Sequence, residues 1–169
     1  MKKKVKLEDE PLSLSQIAQL KNVSDDYSHL GQDYILTHIT TNTSYFYAPA
    51  ARRFDGFIII ISVKGTIKIT IDLDTFEVDP GSVTFVAPDR VFKPIDWDGD
   101  ELDAYLLFLS NRFVYDLNIE LNAINTNLFT SAKQVMDLRP DQLDVLIKYF
   151  HMLHQNALDL NPYTRHIAR

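Results

Sequence analysis

Five histidines give this chain its widest chemical range, at positions 29, 38, 151, 154 and 166. His151 and His154 are spaced i, i+3, so on a helix they share a face and could hold a metal ion. No Glu or Asp stands at the matching positions, and the pair reads better as a structural or interface feature. His38 lies in a strand-like stretch with Tyr34 and Leu36 on the same parity. There it either lines a barrel cavity or sits in the wall as a hydrogen-bonded histidine. Arg52 and Arg53 stand beside Tyr45, Phe46, Tyr47 and Phe54. A basic pair among aromatics could hold an anionic or sugar-like ligand at a barrel mouth; the other reading is a solvated loop whose aromatics pack on the core. The candidate ligand-binding residues are therefore His38, Tyr45 and Arg53, with Ile58, Ile60 and Ser62 as walls.

The remaining chemistry is thin. Asp96, Asp98 and Asp100 alternate within Asp96-Trp97-Asp98-Gly99-Asp100-Glu101, but the glycine and glutamate positions of a helix-flanked calcium loop are not met. The segment reads as a solvated β-turn. There is no cysteine, which excludes thiol catalysis, disulfides and cysteine-ligated zinc. The 5 glycines are isolated, so no glycine-rich phosphate loop exists, and no serine sits in a Gly-x-Ser-x-Gly elbow. The expectation is a protein that is not an enzyme and carries no cofactor and no metal.

These side chains must be positioned by one domain, because the chain has 169 residues. Its 46% hydrophobic content supports a single good core. A net charge of −6 and a pI of about 5.2 argue against this chain gripping nucleic acid by itself. The run Phe57-Ile58-Ile59-Ile60-Ile61 is too short to span a bilayer. The basic start Met1-Lys2-Lys3-Lys4 is followed by no apolar stretch, so it is not a secretory signal. No membrane contact and a cytoplasmic location are expected.

Along the chain, residues 1–33 read as an arm with one short helix. Residues 34–110 read as eight short strands bounded by turn residues, at 34–40, 45–48, 57–63, 66–72, 75–78, 82–87, 91–95 and 103–109. Lys64-Gly65 reads as a two-residue hairpin loop, which sets Ile58, Ile60, Ser62, Ile67, Ile69 and Ile71 on one interior face. Ile59 and Ile61 then fall on the other face and need cover from another layer. Residues 111–169 turn helical, with segments at 111–118 and 140–158. Pro140 is a good first helical residue, and Asn161-Pro162 starts a further helix, so the chain is expected to lead into another part.

The stretch 57–94 resembles the double-stranded β-helix of the cupin superfamily, through Val63-Lys64-Gly65, Phe76-Glu77-Val78-Asp79-Pro80-Gly81 and Val83-Thr84-Phe85-Val86-Ala87-Pro88. Within that superfamily the order of arm, barrel, short helix and long helix resembles the N-terminal ligand-binding and dimerisation domain of AraC-family transcription regulators. Phe92 stands where metal-binding cupins place a histidine, which counts against a metal enzyme. The resemblance implies a mainly β chain with C-terminal α-helices, in which a cupin-like barrel is followed by a helical dimerisation layer.

It also implies a homodimer, a small-molecule effector (sugar-like or a small acid), and DNA contact only through a C-terminal helix-turn-helix part. On the long helix, Leu143, Leu146, Ile147, Phe150, Leu153, His154 and Ala157 make one stripe, flanked by Val145, Tyr149 and Met152. The candidate dimer interface is Val145, Leu146, Tyr149, Met152 and Leu153. The alternatives are a stand-alone cupin enzyme acting on a sugar or small acid, and a ligand-free protein-interaction module.

Overall fold

The computed structural model describes residues 11–19, 27–30, 32–41, 51–93, 96–116 and 134–158. Its central element is one long strand, β4 (Gly56–Ile71), in which β-branched isoleucines dominate. Around it run β1 (Tyr27–Leu30), β2 (Tyr34–Thr40), β3 (Arg52–Arg53), β5 (Asp74–Val78), β6 (Ser82–Val86), β7 (Val91–Phe92), β8 (Asp96–Ser110) and β9 (Val135–Asp137). The antiparallel order is β1-β2-β8-β4-β6-β9, with β5 and β7 also pairing with β4 and β3 with β7. The helices are α1 (Leu14–Gln19), α2 (Asn111–Asp116) and α3 (Pro140–Leu158). This is the mainly β architecture with a C-terminal helix expected from the sequence. Strand β1 lies within the stretch expected as an arm, and β9 within the one expected to be helical.

The hairpin expected at Lys64-Gly65 is not formed. A type I′ turn needs positive φ at both central residues, and type II′ needs glycine at the first. Only the second residue, Gly65, has positive φ here, at 77°. The strand therefore bulges and continues, with register shifts against β8 between Ser62 and Lys64 and between Lys64 and Thr66. The Ser62 hydroxyl donates to the Gly65 carbonyl inside this bend. One extra residue reverses the alternation, so Ile58 and Ile60 before the bend share an interior with Ile67, Ile69 and Ile71 after it. Ile60 faces Thr84 and Leu106, while Ile69 faces Phe76, so the two isoleucines are not cross-strand partners.

The acidic segment 96–101 is likewise strand rather than turn. Asp96, Trp97 and Asp98 pair with Lys68, Ile67 and Thr66, because β8 follows β4 round the same bend. A true turn stands at Asp79-Pro80-Gly81, where the Ser82 N–H donates to the Asp79 carbonyl at 2.9 Å and Gly81 has φ of 85°. Proline followed by a positive-φ glycine is the type II pattern.

The sheet carries a core on each face. The interior holds Ile17, Ile35, Phe54, Ile58, Ile60, Phe92 and Phe108 with their neighbours, and Leu14 of α1 closes onto it. The opposite parity makes a second cluster of Tyr34, Leu36, Ile61, Val83, Tyr105 and Leu107, covered by Phe150 of α3. Ile59 packs there too, so the cover that Ile59 and Ile61 require is this helix. At its start, the Arg139 N–H donates to Gln142 Oε1 at 3.0 Å and the Leu143 N–H to the Arg139 carbonyl at 3.0 Å. With Pro140 at the first helical position, these bonds supply partners at the end where backbone donors are otherwise left over.

Candidate functional site

Helix α3 lies over the outer face beside β1 and β2 and reaches β8 through the side chains of Phe150 and His151, with Leu143, Leu146, Ile147, Phe150 and Leu153 packed in the same cluster. Tyr34 on β2 is fully buried and its hydroxyl donates to the Leu153 carbonyl at 2.7 Å. Burial, and secondarily the Asp33 carboxylate, push this phenol up to about 12, so it remains a donor at any ordinary pH. An unfolded chain would release that proton near pH ~10. The stability tied to the neutral phenol is thus complete below about pH 10 and lost as pH climbs towards about 12. Replacing Tyr34 by Phe should cost about 1 kcal/mol near neutral pH and remove this part of the alkaline loss. Urea midpoints of both proteins near pH ~8 and pH ~11 check it; an equal alkaline decline in both would exclude Tyr34 as the titrating group.

Beside this anchor the helix and sheet leave a cavity of about 180 Å³, lined by Leu36, His38, Tyr105, Phe150, His151 and His154. The register brings these residues together. His38 and Tyr105 are direct cross-strand partners on β2 and β8, and their rings stack at 4.3 Å with only 4° between planes. His38 Nε2 and Asp103 Oδ1 are 2.8 Å apart, a bond that fixes the imidazole's orientation. Across the cavity, the Tyr105 hydroxyl and His151 Nε2 are hydrogen-bonded at 3.1 Å. The Phe150 ring lies 5.6 Å from that of Tyr105. Leu36, Tyr105 and Phe150 are buried, His38 and His154 are half-buried, and His151 is exposed at the rim. The site is an aromatic and aliphatic floor with imidazole and phenol groups at its edge.

Several residues singled out from sequence lie elsewhere. His38 has the same parity as Tyr34 and Leu36, as read, but this parity is the outer face under α3 and not the barrel interior. Ile58 and Ile60 are 1% and 0% exposed in the interior core, and Ser62 is occupied with the bulge. Arg53 is exposed on β3, opposite Val91. Tyr45 lies outside the described residues. The mouth expected at Tyr45 and Arg53 thus falls partly outside the described residues, while its walls Ile58, Ile60 and Ser62 are each at most 1% exposed within the core. On α3, Leu146 and Leu153 pack against their own sheet and are half-buried. Val145, Tyr149 and Met152 are 48%, 56% and 49% exposed.

What sequence reasoning missed was Tyr105 and Asp103, and the convergence of His38 with His151 and His154. The one available signal was that His38 shares its parity with two residues that a covering helix had to bury. Among the described residues no three His, Cys, Asp or Glu side chains are grouped as a metal site, and no helix is long and apolar enough to cross a membrane. Other clefts lie among the described residues. One, of about 250 Å³, lies at the starts of α1 and α2 beside Asp55; another, of about 510 Å³, lies between Glu77, Asp79 and Asp137.

No protein-family model matches the chain, and no curated protein does either. Among solved structures the chain is similar to the apo form of a ToxT variant from Vibrio cholerae. That likeness has 17% identity and a TM-score of 0.51 over 80% of this chain and 51% of that one. Wild-type ToxT of the same organism with bound unsaturated fatty acid gives 17% identity and a TM-score of 0.47, over 70% of this chain and 46% of that one. A cupin superfamily protein from Desulfitobacterium hafniense gives 14% identity and a TM-score of 0.40, over 64% of this chain and 99% of that one. The chain spans about half the length of the ToxT chains it matches. At these identities the likeness is one of fold: a mostly antiparallel β structure with a C-terminal helix.

Proposed function

We propose that this chain is the effector-sensing and dimerising half of a bacterial AraC-type transcription regulator, acting in the cytoplasm and without enzymatic activity of its own. The observation that carries the reading is the two-sided helix α3. One side is anchored to the sheet through Phe150, and the other shows Val145, Tyr149 and Met152 at i, i+4 and i+7, each about half exposed. A row of large apolar side chains on a helix that is already docked fits a second, twofold contact. The effector site in this reading is the cavity under the same helix. A small molecule held there would favour one seating of α3, and with it one geometry of the dimer. It can do so only if its affinity differs between the two seatings. DNA contact belongs to the helix-turn-helix units that the family resemblance places C-terminal to such a domain.

The double variant Val145→Glu, Tyr149→Glu tests the dimer. Four carboxylates in one twofold interface should cost several kcal/mol, roughly a thousandfold or more in dimer affinity. Because both positions are exposed, the thermal transition of the monomer should hold. Light scattering is then expected to report the mass of a single chain; an unchanged dimer mass removes this flank as the interface. A second reading, a ligand-free interaction module, is favoured by the packed interior, where Ile60, Ile67 and Ile69 are each 0% exposed. It would keep the dimer and lose the effector.

A further inference from the structure

We infer that the cavity between α3 and the sheet binds a small planar aromatic carboxylate, its ring against Tyr105 and Phe150 and its carboxylate on His151 and His154. This inference rests on reading the cavity as the effector site. Three observations narrow the ligand to that class.

The first is size. About 180 Å³ is little more than the roughly 150 Å³ of an apolar cavity known to hold benzene, so one ring with one small substituent fills it.

The second is the shape of the walls. Tyr105 and Phe150 stand 5.6 Å apart and tilted by 47°, and the stacked pair of His38 and Tyr105 extends the aromatic surface along β2 and β8. Leu36 closes the floor. Flat rings gain most from such surroundings through offset and edge contacts. A sugar's hydroxyl groups would find few partners on this floor.

The third is the polar rim. His151 and His154 lie one turn apart on α3, and both line the cavity. His154 makes no hydrogen bond to another described residue, while His151 is engaged through Nε2 with Tyr105. Imidazole N–H groups donate hydrogen bonds, so the group this rim complements is one rich in acceptor oxygens. Asp103, the carboxylate beside His38, is bonded to it and does not line the cavity. The His154 ring, and the Nδ1 that the Tyr105 bond leaves on His151, are the groups that can donate to the oxygens of one carboxylate. A ligand spanning ring floor and helical rim would tie the C-terminal half of α3 to β2 and β8. That is the half which follows Val145 and Tyr149 on the opposite flank.

The test is titration of the 169-residue chain with benzoate, and separately with benzamide as its uncharged counterpart, followed through the histidine ring signals by NMR. Benzoate is expected to move the His38, His151 and His154 signals saturably, with Kd of about 1 mM or tighter for a ligand this small. Benzamide should bind at least about tenfold more weakly. His154→Gln should weaken benzoate by about tenfold while leaving the thermal transition in place, because His154 has no partner to lose. Ring protons of bound benzoate should show contacts to Tyr105 and Phe150. Equal binding of benzoate and benzamide, unmoved histidine signals, or full affinity in His154→Gln would overturn the inference. Binding that follows the expected pattern but leaves the dimer mass and affinity unchanged supports the ligand class and instead removes the regulatory reading.

Discussion

Truncation of Phe150 to alanine is expected to cost about 3–5 kcal/mol, the usual price of emptying a buried aromatic position. For a domain whose whole stability is typically about 5–15 kcal/mol, that is roughly a fifth or more. Phe150 is 4% exposed, whereas Leu143, Leu146, Ile147 and Leu153 around it are only partly buried. Among the described side chains of α3 it is therefore the one that is deeply inserted, and it contacts the Tyr105 ring. Losing it should loosen α3 before the sheet, because β4, β6 and β8 are held by their own ladder and by the interior core. Urea denaturation should give the large shift, and hydrogen exchange should rise most in residues 140–158. The milder Phe150→Leu should cost below about 1.5 kcal/mol, since volume is largely kept. A loss under about 1 kcal/mol for the alanine variant would mean that α3 is not anchored at this point.

The second large effect is expected at Gly65. A Cβ there would stand 2.5 Å from the Glu101 carbonyl oxygen, and the residue's φ is +77°. Left-handed backbone costs a non-glycine residue about 1–2 kcal/mol, and displacing a backbone oxygen of β8 adds to it. Gly65→Ala should thus lose about 3 kcal/mol or more. Gly81 provides the internal comparison: its φ is +85°, but a Cβ would meet nothing within 4 Å. Gly81→Ala should accordingly lose only about 1 kcal/mol, the backbone part alone. Urea midpoints of the two variants measure the difference directly. Equal losses would show that the bend between Ser62 and Thr66 has room to relax, and that β8 does not hold it.

Both effects arise where long-range structure decides the outcome, and this marks the division between what was legible in the chain and what was not. Alternation determined the faces. Ile58 and Ile60 had to share one side and Ile59 and Ile61 the other, because successive strand residues point oppositely whatever the strand pairs with. The bounds of α3 were equally local, since Pro140 and the apolar repeat that follows it act within a few residues. The need for a second covering layer followed from composition alone, because isoleucines on both faces cannot both meet water.

Tertiary structure decided the partners. Lys64-Gly65 reads as a hairpin until β8 is present along the whole of β4, at which point continuing the strand satisfies more backbone groups than reversing it. The acidic run at 96–101 was drawn into strand for the same reason, as the complement of that bend. The candidate site was the least legible of all. His38 and the pair His151 and His154 come from opposite ends of the chain, and their meeting depends on which face of the sheet α3 covers. Periodicity states that a strand face is apolar; only the packing of layers states whether that face looks into a barrel or up at a helix.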